Sequence, residues 1–338
     1  MIQNKTNLFK SIALLTVLLL GLGLVSRGGG RSNKPVLQLA FSNNSQGVSG
    51  SIDEFETTPQ PSSEEVAIEV AEGLFFNADL FYSAVRKHKS LNSYDNKPRV
   101  RGLIVPHHLL ASDLIAHGFA TVDPAMVETV IIISPNHFEQ GDQIFQTSLA
   151  SWRTPIGIVD ADEYAIMSIK QKMQKSRLLA IDDKTLEQEH GVAGLTPFAQ
   201  RFFPEARLVP IVVKAYPTMT QLESLLLAIQ QADEEGFFEL DKTLVVGSID
   251  FSHDLLAHQA VEKDKITRKL IDERRWNELL KLNNEYLDSP GSLILTFELA
   301  SFLGAHRDVE LVNTNAAELT GIYDQVVTSY FLITLVEY

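Results

Sequence analysis

The sequence predicts an α/β fold: a three-layer sandwich with a mostly parallel central sheet and helices on both faces. Three observations lead there. Uninterrupted β-branched runs, such as Val130 to Ile133, are what a strand covered on both faces looks like. These runs alternate with stretches whose apolar residues recur at helical spacing. Three of the runs also deliver histidine at the same end. Arg101 to Val105 leads into Pro106, His107 and His108; Val130 to Pro135 leads into Asn136 and His137; Leu244 to Ser248 leads into Asp250, Ser252 and His253. In open α/β sheets ligands bind just beyond the carboxyl ends of the strands, so histidines there suggest a convergent site.

A length of 338 residues fits one large α/β domain or two smaller ones, and an apolar fraction of 45% supports a substantial core. The formal net charge is −14, and the first 31 residues hold four bases and no acid, so the remainder is more acidic still. Such a body repels phosphate backbones, which argues against a nucleic-acid partner. There is no cysteine. Disulfides, cysteine-ligated zinc, iron–sulfur clusters, thiol catalysis and a lipidated cysteine anchor are thereby excluded.

Taken in order, Lys5 and Lys10 precede an uncharged, leucine-rich run from Ser11 to Ser26, followed by Arg27 and Arg31. A basic lead and an apolar stretch mark residues 1–31 as a membrane anchor or export signal. The run is somewhat short of the ~20 residues of a spanning helix, and snorkelling by Lys10 extends it. The expectation is a transmembrane, membrane-anchored protein with its body outside the cytoplasm, or a secreted one if the segment is cleaved. Residues 32–63 are rich in Ser, Asn, Gly, Gln and Pro and read as a flexible linker.

The body, 64–338, opens with helical spacing from Glu64 to Lys87. Arg99 to Val105 is the first core strand, and Leu109 to Val122 is the helix after it, with His117 packed within it. Pro155 and Gly157 mark a turn or short hairpin within Phe145 to Ile158. Asp160 to Lys175 is a helix whose opening Asp can cap it. Leu195 to Phe203 is helical, Leu208 to Val213 a buried strand, Thr218 to Asp233 an apolar helix and Thr243 to Ser248 a further strand. Two or three helices follow between Leu256 and Leu303, and Val326 to Val336 has the residue types of a last strand.

Five motifs in order carry a resemblance: Val105–His108, Ile133–His137, Trp152–Gly157, Glu189–Val192 with Leu195–Phe198, and Ile249–His253. Over about 240 residues, from Arg99 to the carboxyl terminus, they resemble the Memo family, which includes the AmmeMemoRadiSam system protein B group. That family is similar in fold to the extradiol class III non-haem iron dioxygenases, which implies a LigB-type, dioxygenase-like architecture. The resemblance implies that His107 and His137 bind metal, iron(II) or copper, and that Asp250, His253, Glu189 and His190 serve catalysis.

The departures are specific. The family's small, glycine-containing turn is replaced by His108 and Leu109, one imidazole is lost at Phe138, and polar positions become Ala193 and Leu195. The cysteine that serves as third ligand in the animal branch falls near Pro290 and Gly291, where no side chain binds metal. The third ligand is therefore open, with Asp250 and Glu189 as carboxylate candidates and His108 or His253 as imidazole ones.

Each residue also has a structural reading. His107 and His137 can simply hydrogen-bond loop backbone at the strand ends. Asp250 and His253 can form a hydrogen-bonded pair that orients a ligand or acts as base, or Asp250 can bond its own turn. Glu189 and His190 can be a helix cap. His88, His258 and His306 lie in charged surroundings and read as surface residues. Hydrolysis through Ser252 and His253 is disfavoured, since adjacent residues rarely face each other and no G-x-S-x-G elbow is present. Two functions stay open: a metal-dependent redox enzyme of the dioxygenase-like class, and a non-catalytic protein that binds a peptide or small molecule on the same fold with a degraded metal site.

Overall fold

A computed structural model describes residues 70–337, apart from residues 74, 90–93, 96 and 237–238. The central sheet has eight strands: β1 (Arg99–Val105), β2 (Thr129–Pro135), β3 (Phe145–Thr147), β4 (Leu179–Ile181), β5 (Arg207–Val213), β6 (Thr243–Ser248), β7 (Arg307–Asn315) and β8 (Ser329–Glu337). Their spatial order is β7-β8-β1-β6-β2-β5-β3-β4. The central four, β1, β6, β2 and β5, are parallel. β8 runs antiparallel to β1 and to β7, and β3 antiparallel to β5 but parallel to β4. The sheet is thus mixed, with a parallel centre and antiparallel joins on both sides. This corrects the expectation of a mostly parallel sheet.

Two-faced burial follows from the alternation along each strand. Ile131 and Ile133 of β2 pack with helices Glu163–Lys172 (α3), Met219–Glu234 (α6), Ala257–Asp272 (α7) and Pro290–Phe302 (α8), through residues such as Ile166, Leu225, Ile271 and Leu295. Val130 and Ile132 face the other way, toward Ala78–Lys87 (α1), Ser112–Ala120 (α2) and Thr196–Phe202 (α5), through Phe81, Phe119 and Phe198. A strand apolar on both faces needs such double cover. Gly247 in β6 is explained by α8. A Cβ there would stand 2.7 Å from both Thr296 Oγ1 and Ile104 Cδ1, so a side chain would push the helix off the sheet.

Helix starts carry the chemistry expected of them. Asp162, rather than Asp160, caps α3 by accepting from Ala165 N at 3.2 Å. Thr218 and Gln221 form a reciprocal capping box on α6. Some strands were not foreseen. Val70–Glu72 lies within the stretch read as helical and pairs with Ser151–Thr154, one arm of the expected hairpin. β4 and β7 have no counterpart in the sequence reading, and most side chains of β7 are exposed or half-buried.

Membrane placement is also corrected. Among the described residues no helix is long and apolar enough to cross a membrane. Residues 1–31, which carried the anchor and the extracytoplasmic expectation, and the 32–63 linker lie outside the described residues.

One short helix ties the sheet to the site. Helix α4 (His190–Ala193) crosses β2 so closely that a Cβ on Gly191 would stand 2.1 Å from the Oγ of buried Ser134. Gly191→Ala is expected to destabilise the chain by about 1–3 kcal/mol, the usual cost of overpacking, read as a lower denaturant midpoint with an unchanged slope.

Candidate metal site

The parallel centre of the sheet places four segments at one end. β1 runs out at Val105, and Pro106 turns the chain so that His107 is buried. β2 ends at Pro135, leaving His137 half-buried on the turn. β6 ends at Ser248 beside Val105, with which it is in register, and carries Asp250 two residues on. A loop from Leu280 to Ser289 brings in Asp288, whose N–H donates to Asp250 O while Asp250 N–H donates to Asp288 Oδ2, both at 3.1 Å. Both carboxylates are buried.

Hydrogen bonding fixes the tautomers of two imidazoles. Ser248 gives its hydroxyl proton to Gly191 O at 2.6 Å, so toward His107 Nδ1, 3.1 Å away, it can only accept. His107 therefore carries its proton on Nδ1 and presents the Nε2 lone pair inward. His137 Nδ1 lies 2.5 Å from Glu189 Oε1, a carboxylate that only accepts, and the His137 backbone N–H donates to Oε2 at 2.9 Å. The Nε2 of His137 is likewise left with a lone pair. Glu189 is almost wholly buried, and its Oε1 also accepts from Gly191 N, which makes it the cap of α4. Glu189 is thus the cap of α4 and also the acceptor that holds His137.

These lone pairs meet acids, not donors. Asp288 Oδ2 is 3.5 Å from His107 Nε2 and 3.9 Å from His137 Nε2, and Asp250 Oδ2 is 3.5 Å from His107 Nε2. Asp288 Oδ1 is buried without a hydrogen-bond partner. His190 completes the group: His107, His137 and His190 each offer an atom within 4.8 Å of the others, a grouping that could hold a metal ion. The His190 ring lies 3.9 Å from that of His137, tilted by 32°.

Electrostatics follow from burial. Burial, then the neighbouring His137, His190 and His253, holds the His107 imidazole well below its ordinary range. Burial and then His137 bring His190 down to about 4. Both rings are thus neutral near pH 7, the form that binds metal. Burial raises Asp250 to about 7, while burial and the Asp250 charge push Asp288 well above the usual carboxylate range.

The remaining candidates are placed as follows. His253 has a buried Nδ1 without a partner, and burial lowers its pKa. It does not pair with Asp250, whose Oδ1 accepts from His107 N at 3.2 Å. His108 turns away to Tyr330, 2.5 Å from its hydroxyl. Ser252 donates to Asp264 at 2.7 Å, not to His253. His117 stacks on His88 at 4.8 Å, far from any strand end. Asp288 was missed in the sequence because it lies on a polar loop ahead of a helix cap, not at a strand end. It sits two residues before the position that had been judged barren of ligands. A cleft of about 270 Å³, lined by His137, Asp288, Asn284 and Tyr216 among others, opens onto these groups.

Comparison with known proteins now adds identity of kind. A family model described as Memo-like protein matches residues 76–333. A MEMO1 family protein of Methanopyrus kandleri is 27% identical over 235 residues, covering 67% of this chain and 80% of that one. A MEMO1 family protein of Aquifex aeolicus is 26% identical over 250 residues, covering 71% and 87%.

A pH dependence follows for the metal-free chain. Asp288 binds its proton more tightly folded than unfolded, so its contribution is full below the ordinary carboxylate pKa and is lost as pH rises through the folded value. Asp288→Asn is expected to raise the melting temperature of chelator-treated protein by a few degrees at about pH 8, and by less at about pH 5. Thermal melts at both values check it.

Proposed function

We propose that this chain, which belongs to the Memo-like protein family, binds a divalent metal at the ends of its central strands and uses it in redox chemistry of the dioxygenase-like class. The observation that carries this reading is a buried and a half-buried imidazole, His107 and His137, whose Nδ1 protons are committed to Ser248 and Glu189, leaving both Nε2 lone pairs directed at carboxylates. Acceptors facing acceptors in a buried site are stable only around a cation or a shared proton. In this reading the sheet and its helices form a LigB-type sandwich, with residues 64–338 as one Memo-like domain.

The donor set suits the group. His107 and His137 would hold the metal, and Glu189 orients His137 and raises its basicity, an arrangement common behind metal-bound histidine. A bound iron(II) or copper ion would supply Lewis acidity and one-electron redox capacity. The protein supplies the rest. Asp250 braces the His107 backbone, His190 covers one flank of His137, and His253, with a free ring nitrogen, can accept a proton from a ligand. The cleft admits a small molecule or the side chain of a peptide.

A second reading, non-catalytic peptide or ligand binding, is favoured by aromatic exposure at the mouth. Phe138 is 53% exposed and its ring lies 6.2 Å from His190, while Tyr216, on the cleft wall, is 79% exposed. Exposed rings beside a cleft are typical of recognition surfaces.

Metal content separates the two. The full chain, purified anaerobically and loaded with iron(II), copper or zinc, is expected to hold about one equivalent, lost in a folded His107→Ala, His137→Ala double variant. Failure of the parent to retain any metal would sink the enzyme reading and leave ligand binding. Glu189→Gln, which keeps shape but weakens the bond to His137, is expected to lower metal affinity by roughly 10–100-fold in chelator competition.

A further inference from the structure

The geometry points to Asp288 as the third protein ligand, so that His107 Nε2, His137 Nε2 and an Asp288 carboxylate oxygen form a two-histidine, one-carboxylate set of the kind that holds non-haem iron(II). This rests on the metal-binding reading above and specifies its coordination.

Four observations separate Asp288 from the other candidates. Its Oδ2 stands 3.5 and 3.9 Å from the two Nε2 atoms. Ligand atoms on one metal with bonds of about 2.1 Å lie about 3.0–3.5 Å apart, so only a small contraction is needed. Second, among the described residues Asp288 Oδ1 is buried with no hydrogen-bond partner, and Oδ2 accepts from Asp250 N. An ionised carboxylate left that way in a protein interior is costly, and a bound cation removes the cost. Third, no Lys or Arg pairs with Asp288 among the described residues; its only charged-type partners are the two histidines. With Asp250 beside it, the site sets carboxyl groups against neutral imidazoles with no base to balance them among the described residues.

The fourth observation concerns His190. Unlike His107 and His137, it has no close hydrogen-bond acceptor among the described residues to fix its tautomer, since its Nδ1 is 3.6 Å from Glu189 Oε1. Its ring lies alongside that of His137, and Phe75 packs on it at 5.4 Å. That is the position of a wall residue. Two imidazoles and one carboxylate match the donor set of non-haem iron(II) sites, which keep positions open for other ligands. The cleft is lined by His137 and Asp288.

Cobalt(II) is the probe, because the chain contains no cysteine and a thiolate–cobalt charge-transfer band can arise only from an introduced thiol. Asp288→Cys in the full chain, loaded with cobalt(II) under reducing conditions, is expected to show that band, which the parent lacks. In parallel, Asp288→Asn should weaken iron(II) and cobalt(II) binding on the order of 100-fold, while His190→Ala leaves both unchanged. The Asp288→Cys spectrum decides even if Asp288→Asn folds poorly. No thiolate band, with parent-like binding by Asp288→Asn and loss in His190→Ala, would overturn the assignment and make His190 the third ligand. A parent chain that binds neither metal would overturn the assignment and the metal reading together.

Discussion

Buried acceptors facing one another are the constraint on which this structure turns. Ser248 and Glu189 take the Nδ1 protons of His107 and His137, and what remains inside is two lone pairs and the carboxylates of Asp250 and Asp288. Such a cluster is unfavourable as neutral imidazole against ionised acid, and burial raises the carboxyl pKa values so that protons can fill the gap. In the metal-binding reading proposed above, a cation fills the same gap. The helix α4 makes the arrangement possible: Gly191 lets it approach Ser134 closely enough for its carbonyl to take the Ser248 proton, while Glu189 caps it.

The fold supplies rigidity where that cluster needs it. His107, His137 and Asp250 each follow directly on a strand of the four-stranded parallel centre, whose residues are buried on both faces. Strand ends held by two layers of helix move little, so the lone pairs stay aimed. Asp288 arrives differently, on a loop pinned to Asp250 by one backbone bond and one through its own side chain, and followed at once by α8, whose cap is Ser289. One wall of the cleft is thus tied to the sheet, while Tyr216, also on its lining, is exposed.

Much of this was legible in the chain. The β-branched runs at Val130 and Leu244 located the parallel centre because such residues tolerate cover on both faces, and His107 and His137 after the strands belong to the histidine group that the fold gathers there. The motifs around His107, His137, Glu189 and Asp250 pointed to the Memo family, to which the chain belongs. Other parts were not legible, for physical reasons. β7 carries Arg307, Asp308 and Glu310 and sits at a sheet edge, so its strand state comes from pairing with β8 rather than from an apolar pattern. The antiparallel joins that make the sheet mixed depend on how β3 and β8 return, which periodicity does not encode. Asp288 looks like any acid before a helix cap, and only folding reveals that it is buried among imidazoles. The absence of a donor for its Oδ1 is a three-dimensional fact.

The most direct measurement is a crystal structure of the full chain soaked anaerobically with iron(II), with anomalous diffraction recorded on both sides of the iron edge. The account predicts one anomalous peak within bonding distance, about 2.0–2.3 Å, of His107 Nε2, His137 Nε2 and an Asp288 oxygen, with further positions open toward the cleft. A peak bonded to His190 with Asp288 turned away, or no peak between these residues at all, would contradict it.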